Sequence, residues 1–118
     1  MPLYHGTTQK AWEEIMRTGY LRPAPSYLIR EGKSPRMKNI IGIFMTPNFQ
    51  FARTIALLKA WMFDDQPIIL ELDQECVEKH GGRYIRNILK NFGEERIFQR
   101  AIPAKCIKRA IQIAKKKI

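Results

Sequence analysis

Apolar residues recur at helical spacing in two segments of the chain, and this spacing predicts two helices. The first helix covers residues 8–18, and Gly19 follows it as a left-handed stop. The second helix starts at Thr46-Pro47, a hydroxyl cap followed by a proline at the first helical position, and continues to about Phe63. The residues that share an apolar face are Ala11, Trp12, Ile15 and Met16 in the first helix, and Phe51, Ile55, Leu58 and Met62 in the second.

Runs of apolar and β-branched residues predict the strands. The predicted strands are a first one that ends at Leu3-Tyr4 and, further along the chain, the segments 40–45, 68–73, 96–102 and 107–114. The segment 68–73 is almost continuously apolar, which favours a buried position. The pattern between residues 74 and 93 is weaker: it indicates a turn at His80-Gly81-Gly82 and a short helix over 84–89 that Gly93 ends.

This mixture of strands with separate helices favours an α+β domain, in which the helices cover small antiparallel or mixed sheets. The chain has 118 residues, which is the size of one domain. We therefore expect a single domain over residues 1–118, with no internal repeats.

The sequence has no feature of a membrane or secreted protein. Its apolar stretches are too short or too interrupted to span a bilayer, and its N-terminus lacks the order of a signal peptide. We expect a cytoplasmic protein with no membrane partner. Cys76 and Cys106 have neither metal-ligand spacing nor a catalytic partner motif, so we expect a structural or incidental role for them and no metal. Nothing in the sequence indicates the oligomeric state.

The net charge of +10 is large for this length and predicts attraction to partners that carry phosphate. Acidic residues are concentrated between 64 and 78, so the rest of the surface is more basic than the average. A loop over residues 22–38 is rich in proline, glycine and base, and a second basic group precedes Glu94-Glu95. The basic residues are Arg22, Arg30, Lys33, Arg36 and Lys38 in the loop, and Arg83, Arg86 and Lys90 in the second group. The alternative is that these charges only solvate an ordinary basic protein.

Three short segments have compositions that suit a ligand site. In Leu3-Tyr4-His5-Gly6-Thr7-Thr8, a strand end presents imidazole nitrogens and a glycine that lets a ligand approach the backbone, and Thr7 or Thr8 can cap the next helix. The segment 42–48, Gly-Ile-Phe-Met-Thr-Pro-Asn, ends a strand and opens a helix. Glu94-Glu95 stands at the entrance to a late strand. Each segment alone also has an ordinary structural interpretation.

Taken in order, the three segments resemble the ADP-ribosyltransferase superfamily, in its diphtheria-toxin-like and poly(ADP-ribose)-polymerase-like branch. The signature of that branch is a histidine, a tyrosine and a glutamate. The matching features are a His-Gly-Thr, a Gly-Ile-aromatic strand, and Glu95 seven residues before Ile102-Pro103. The resemblance spans nearly the whole chain. It implies two small packed β-sheets with flanking helices, and an NAD-dependent ADP-ribosyltransferase for which NAD is the substrate.

The resemblance also implies a role for each residue. His5 would hydrogen-bond a ribose hydroxyl of NAD, while the backbone of Gly6, beside Thr7, would bind the nicotinamide amide. Phe44 would stack on nicotinamide, although it lacks the hydroxyl of the family's tyrosine. Glu95 would stabilise the positive charge that develops on the ribose, as in glycoside cleavage. By strand alternation Glu95 should share a face with Ile97 and Gln99, and Glu94 should point the other way.

Two basic segments complete the implied site. In the loop over residues 22–38, Arg22, Arg30 or Arg36 would contact the pyrophosphate of NAD, and the sequence does not choose among them. The segment 81–93 takes the place of the family's substrate-recognition loop. Its candidate acceptor-binding residues are Arg83, Tyr84, Arg86 and Asn87. Their basic character favours a nucleic acid as the acceptor.

Three other functions stay open. An RNA 2′-phosphotransferase also begins near a His-Gly-Thr, but Glu95 and the presence of only two histidines argue against it. A non-catalytic module of the same fold that binds nucleic acid or ADP-ribose would be compatible with the missing hydroxyl at Phe44. A glycohydrolase would pass ADP-ribose to water. The sequence does not indicate which acceptor is used or whether the chain is active.

Overall fold

A computed structural model describes residues 2–25, 41–90 and 93–114. Within these residues the elements are β1 (Pro2–Thr8), α1 (Gln9–Thr18), β2 (Tyr20–Leu21), β3 (Ala24–Pro25), β4 (Ile41–Met45), α2 (Phe49–Phe63), β5 (Pro67–Asp73), α3 (Gln74–Gly81), β6 (Tyr84–Leu89), β7 (Gly93–Phe98), β8 (Ile102–Pro103), a 3₁₀ turn (Ala104–Cys106) and β9 (Ile107–Gln112). Of the helices in these ranges, none is both long enough and apolar enough to cross a bilayer.

The strands form three antiparallel sheets, and the predicted α+β class is confirmed. One sheet has the order β1-β5-β9, and a second has the order β3-β4-β7-β6. A two-stranded ribbon of β2 and β8 adds to these two larger sheets, so the described residues form one small sheet more than the two that the resemblance implied. Strands β1 and β4 also meet at one bridge, between Tyr4 and Thr46.

The core explains why β5 is an almost uninterrupted apolar run. Ile68, Leu70 and Leu72 point into the main core, which contains Leu3, Ile43, Phe98 and Ile102. Ile69 points to the other face, where it packs against Ala52 and Ala56 of α2. Because β5 is the central strand of its sheet and is covered on both faces, Ile69 is as apolar and buried as Ile68 and Leu70 on the other face. Glu71 and Asp73 follow on the face of Ile69 and are only partly buried. The predicted burial of this strand is confirmed.

Helix α1 is bounded as the sequence predicts, whereas α2 is not. The hydroxyl of Thr8 accepts a hydrogen bond from the Ala11 N–H at 3.5 Å, and Gly19 ends α1 with a φ of 84°. The prediction that α2 starts at Thr46-Pro47 was wrong, because its N-cap is Asn48. Two backbone hydrogen bonds to Tyr4 hold Thr46 in an extended conformation, and its hydroxyl donates to the Glu94 carbonyl at 2.7 Å.

The region from 74 to 98 departs furthest from the prediction. Residues 74–81 form α3, which the sequence did not predict as a helix. The helix predicted over 84–89 was wrong, since these residues form β6 and pair along their whole length with β7. The single strand predicted over 96–102 is divided into β7 and β8. The apolar positions in 84–89 fit a helix and a strand equally well, and pairing with β7 decides between them.

A disulfide joins Cys76 of α3 to Cys106 of the 3₁₀ turn, with 5.4 Å between the two Cα atoms. This agrees with the structural role expected for the pair. The side chain of His80 lies close by, since its ligand nitrogen and the two sulfurs are all within 4.8 Å of one another. The bond between the sulfurs occupies both thiolates that a metal ion would need. Disulfides are rare in cytoplasmic proteins of mesophiles, so the redox state of this pair bears on the expected location.

We expect reduction of this disulfide to lower the free energy of unfolding by about 3.6 kcal/mol, because it closes a loop with a sequence separation of 30 residues. Denaturant unfolding with and without a thiol reductant measures the difference. A Cys76→Ser variant lacks the bond, so the reductant should leave its unfolding curve unchanged. Coincident curves for the reduced and the oxidised wild type would contradict a stabilising disulfide.

Candidate functional site

A cavity of about 460 Å³ opens between β1, β4, β7 and α2. Its volume falls within the usual range for small-molecule sites. Six residues singled out from the sequence line it: His5, Gly6, Thr7, Arg22, Phe44 and Glu95. These residues come from four separate segments of the chain, and the fold brings them together in one place. Arg22 is exposed there, whereas Arg30 and Arg36 lie outside the described residues.

The cavity exists because β1 separates from β4 beyond their single bridge. On one side, β1 pairs with β5 along its whole length. On the other side, the N–H and C=O of Tyr4 both bond to Thr46. Backbone polar groups of alternate residues in a strand point the same way. The N–H and C=O of Gly6 therefore point away from β5, toward the side where the cavity opens.

The structure corrects the reason for a glycine at position 6. A Cβ added to Gly6 would lie 2.4 Å from the carbonyl oxygen of Ala52 and 2.7 Å from the amide nitrogen of Ala56. The missing side chain therefore allows α2 to pack directly on β1, and it is not what lets a ligand approach. The backbone of Gly6 nevertheless borders the cavity.

His5 is buried and joins the two larger sheets. Its Nδ1 lies 2.7 Å from the carbonyl oxygen of Phe44, and because a carbonyl only accepts, Nδ1 carries the proton. Burial, followed by the charge of Lys59, lowers the pKa of His5 to about 3, although the hydrogen bond to Phe44 opposes this shift. At neutral pH the imidazole is therefore uncharged, and its Nε2 is a hydrogen-bond acceptor. This ring can orient a ligand hydroxyl, but it is not a source of protons.

Phe44 and Glu95 project from the same face of the β4–β7–β6 sheet. Phe44 is opposite Ile97, and Glu95 is opposite Asn87. Residues directly opposite each other on antiparallel strands share a face, and residues two apart along a strand do so too. Glu95 and Ile97 thus share the cavity face as the alternation predicts, whereas Gln99 lies beyond the end of β7.

The carboxyl group of Glu95 belongs to a residue that is only 7% exposed, and its pKa is raised. Burial is the cause of the increase, and a hydrogen bond with the Asn87 side chain and the positive charge of Lys59 oppose it. Glu94 lies on the other face of the sheet, where its carboxylate pairs with two arginines. Its Oε1 is 2.6 Å from Nε of Arg96 and 3.2 Å from Nε of Arg86. Those contacts lower the pKa of Glu94.

Of the four candidate acceptor-binding residues, the structure places one beside Glu95. Asn87 is its cross-strand partner. Arg86 pairs with Glu94, and the guanidinium carbon of Arg96 lies 5.1 Å from the centre of the Tyr84 ring, so Arg86 and Tyr84 belong to the opposite face. Arg83 borders a separate surface depression beside Gly82 and Tyr84. These residues alternate between faces because the segment is a strand and not a loop.

Lys59 of α2 is a site residue that the sequence analysis missed. Its Nζ donates a hydrogen bond to the carbonyl oxygen of Gly6 at 2.7 Å. Burial lowers the pKa of this ammonium to about 8, although the charge of Glu95 opposes the shift. A sequence signal does exist: Lys59 follows Ala52 and Ala56 at helical spacing, on the face of α2 that packs against β1.

Comparisons with known proteins show the fold and no function. No family model and no curated protein matches the chain. Among solved structures, the fold is similar to that of protein CC0527 from Caulobacter crescentus, with a TM-score of 0.60 and 11% sequence identity over 97% of this chain and 87% of that one. A double mutant of the same protein gives the same values. At this level of identity, the likeness shows that the two chains share a fold.

Proposed function

We propose that the protein is an NAD-dependent ADP-ribosyltransferase. The observation that supports this proposal most is the convergence of His5, Phe44 and Glu95 on one cavity. These three residues are the ones through which the sequence resembles the superfamily, and they come from three different strands. A cavity of small-molecule size that these three residues share is what the resemblance requires of a nicotinamide site.

The reaction follows from what each residue can do in this geometry. Nicotinamide would lie against the ring of Phe44, with its carboxamide near the backbone of Gly6, and a ribose hydroxyl would donate to Nε2 of His5. As the bond between the ribose and nicotinamide breaks, its electron pair leaves with nicotinamide and positive charge develops on the sugar. The carboxylate of Glu95 stabilises that charge until a nucleophile of the acceptor bonds to the sugar, and a proton that this nucleophile carries passes to water.

The acceptor that we propose is a nucleic acid. The support is electrostatic, since the chain carries a net charge of +10 and the exposed Arg22 stands at the cavity. Tyr84 and Arg86 lie on the sheet face opposite Glu95, so an acceptor that enters the cavity would approach past Arg22. An acceptor that also contacts Arg83 and Arg86 would have to extend from the cavity around the edge strand β6 to the opposite face of the sheet.

Incubation with NAD labelled in its adenylate half tests the proposal. Separate reactions contain single- or double-stranded DNA, RNA, a protein mixture or no acceptor. Label on a nucleic acid is the expected result, and label on protein would keep the transferase but overturn the acceptor. Free ADP-ribose in every reaction would indicate a glycohydrolase. If NAD stays intact and titration calorimetry detects no binding of it, the NAD-dependent function is overturned.

A non-catalytic binding module is the second candidate, because Phe44 lacks the hydroxyl of the family's tyrosine. The same calorimetry separates the two functions. A module would bind ADP-ribose or nucleic acid while leaving labelled NAD unconsumed in all reactions.

A further inference from the structure

Lys59 and Glu95 line the same cavity and interact electrostatically without touching. Both side chains belong to described residues, and no hydrogen bond or ion pair within 4.0 Å joins them. Two opposite charges in a partly buried site attract each other strongly. Because both residues line the cavity and are not in direct contact, a ligand group bound there can contact both.

Each of the two charged groups already has one hydrogen-bond partner in the protein. The ammonium of Lys59 donates to the Gly6 carbonyl, and Glu95 interacts with Asn87. An ammonium has three N–H donors and a carboxylate can accept about four hydrogen bonds, so each group has capacity left. Unused capacity of this kind is costly in a buried site unless a ligand or water fills it.

A ligand group that contacts both the ammonium and the carboxylate should accept one hydrogen bond and donate another. A hydroxyl does so through one oxygen, which accepts from the ammonium and donates to the carboxylate. A phosphate or a carboxylate would suit Lys59, but the negative charge of Glu95 would repel it. Lys59 and Glu95 together therefore favour the binding of a neutral hydroxyl over that of an anion.

We propose that Lys59 is a ligand-binding residue that donates a hydrogen bond to the oxygen of a sugar hydroxyl, whose proton is directed to Glu95. The inference rests on the proposed function, in which that sugar is the ribose attached to nicotinamide. It assigns to α2 a direct contact with the ligand. It also explains why a lysine stands in an otherwise apolar half of that helix.

The test compares the affinities of nicotinamide and nicotinamide riboside for the wild type and for Lys59→Met. Methionine has a similar length but no donor and no charge. We expect Lys59→Met to weaken the binding of nicotinamide riboside about tenfold or more, and to leave the affinity for nicotinamide unchanged. Nicotinamide riboside is a cation, so the loss of a lysine charge alone would strengthen its binding. A decrease in affinity therefore reports the lost hydrogen bond.

Lys10→Met is the matched control, since Lys10 also lines the cavity. This variant should not weaken the binding of nicotinamide riboside. Circular dichroism verifies that each variant is folded, and Lys59→Leu, which also lacks a donor and a charge, repeats the test if Lys59→Met does not fold. If both Lys59 variants bind the riboside as tightly as the wild type does, the role of Lys59 is overturned while the proposed function stays intact. Equal weakening of nicotinamide and its riboside would show that Lys59 contacts the carboxamide, which also overturns it. A wild type that binds neither compound nor NAD would overturn the proposed function and this inference together.

Discussion

Replacement of Glu95 by glutamine is expected to reduce the turnover of NAD by about a hundredfold or more, the effect of removing one preorganised electrostatic stabiliser. Glutamine keeps the size of the side chain and a carbonyl that Asn87 can still hydrogen-bond, so the fold should be preserved. The carboxylate acts on charge that appears mainly in the transition state. We therefore expect kcat to fall while the dissociation constant of NAD changes little. Single-turnover kinetics and titration calorimetry measure the two quantities separately.

Glu94→Gln provides the matched control for this prediction. It removes the same charge from the adjacent residue, but Glu94 lies on the opposite face of β7, where it pairs with Arg86 and Arg96. Its turnover of NAD should stay close to that of the wild type. Wild-type activity in Glu95→Gln, or a larger loss in Glu94→Gln, would remove Glu95 from the catalytic role.

Local patterns predict the parts of this fold that are determined by local contacts. The cap at Thr8 and the stop at Gly19 act within a few residues of α1, so the sequence predicts the boundaries of that helix directly. The opposite orientations of Glu94 and Glu95 depend only on strand alternation. The burial of residues 68–70 and of Leu72 follows from the apolar character of these positions.

Contacts between distant segments decide the parts that the sequence could not predict. Residues 84–89 become a strand because β7 is available to pair with them. Thr46 does not join α2 because its N–H and its C=O are both hydrogen-bonded to the backbone of Tyr4, more than forty positions earlier in the chain. Neither partner is visible in the local pattern.

The candidate site shows the same division. His5, Phe44 and Glu95 could be selected because their segments resemble a known order of motifs. Lys59 belongs to no such motif, and its position at the cavity results from the way α2 packs on β1. Asn87 could be named from the sequence as an acceptor-binding residue, but its contact with Glu95 depends on the register of β6 against β7. Tertiary packing thus supplies the groups that surround the motif residues.

Replacement of Gly6 by alanine is expected to lower the free energy of unfolding by more than about 3 kcal/mol, the upper end of ordinary overpacking costs. The added Cβ would lie 2.4 Å from the Ala52 oxygen and 2.7 Å from the Ala56 nitrogen. Both obstructing atoms belong to the backbone of α2, so no change of side-chain rotamer relieves the contact. The helix would have to move away from β1, which would also break the hydrogen bond from Lys59 to the carbonyl at position 6. Denaturant unfolding measures the loss.

Gly19→Ala is the control that separates this packing effect from the general cost of losing a glycine. Gly19 has a φ of +84°, and among the described residues no heavy atom beyond its chain neighbours lies within 4 Å of the position that an added Cβ would take, so alanine there meets only backbone strain. That strain should cost about 1–2 kcal/mol. A Gly6→Ala variant that loses no more stability than Gly19→Ala would show that α2 can shift at little cost. The close approach of α2 to β1 would then not be what requires a glycine at position 6.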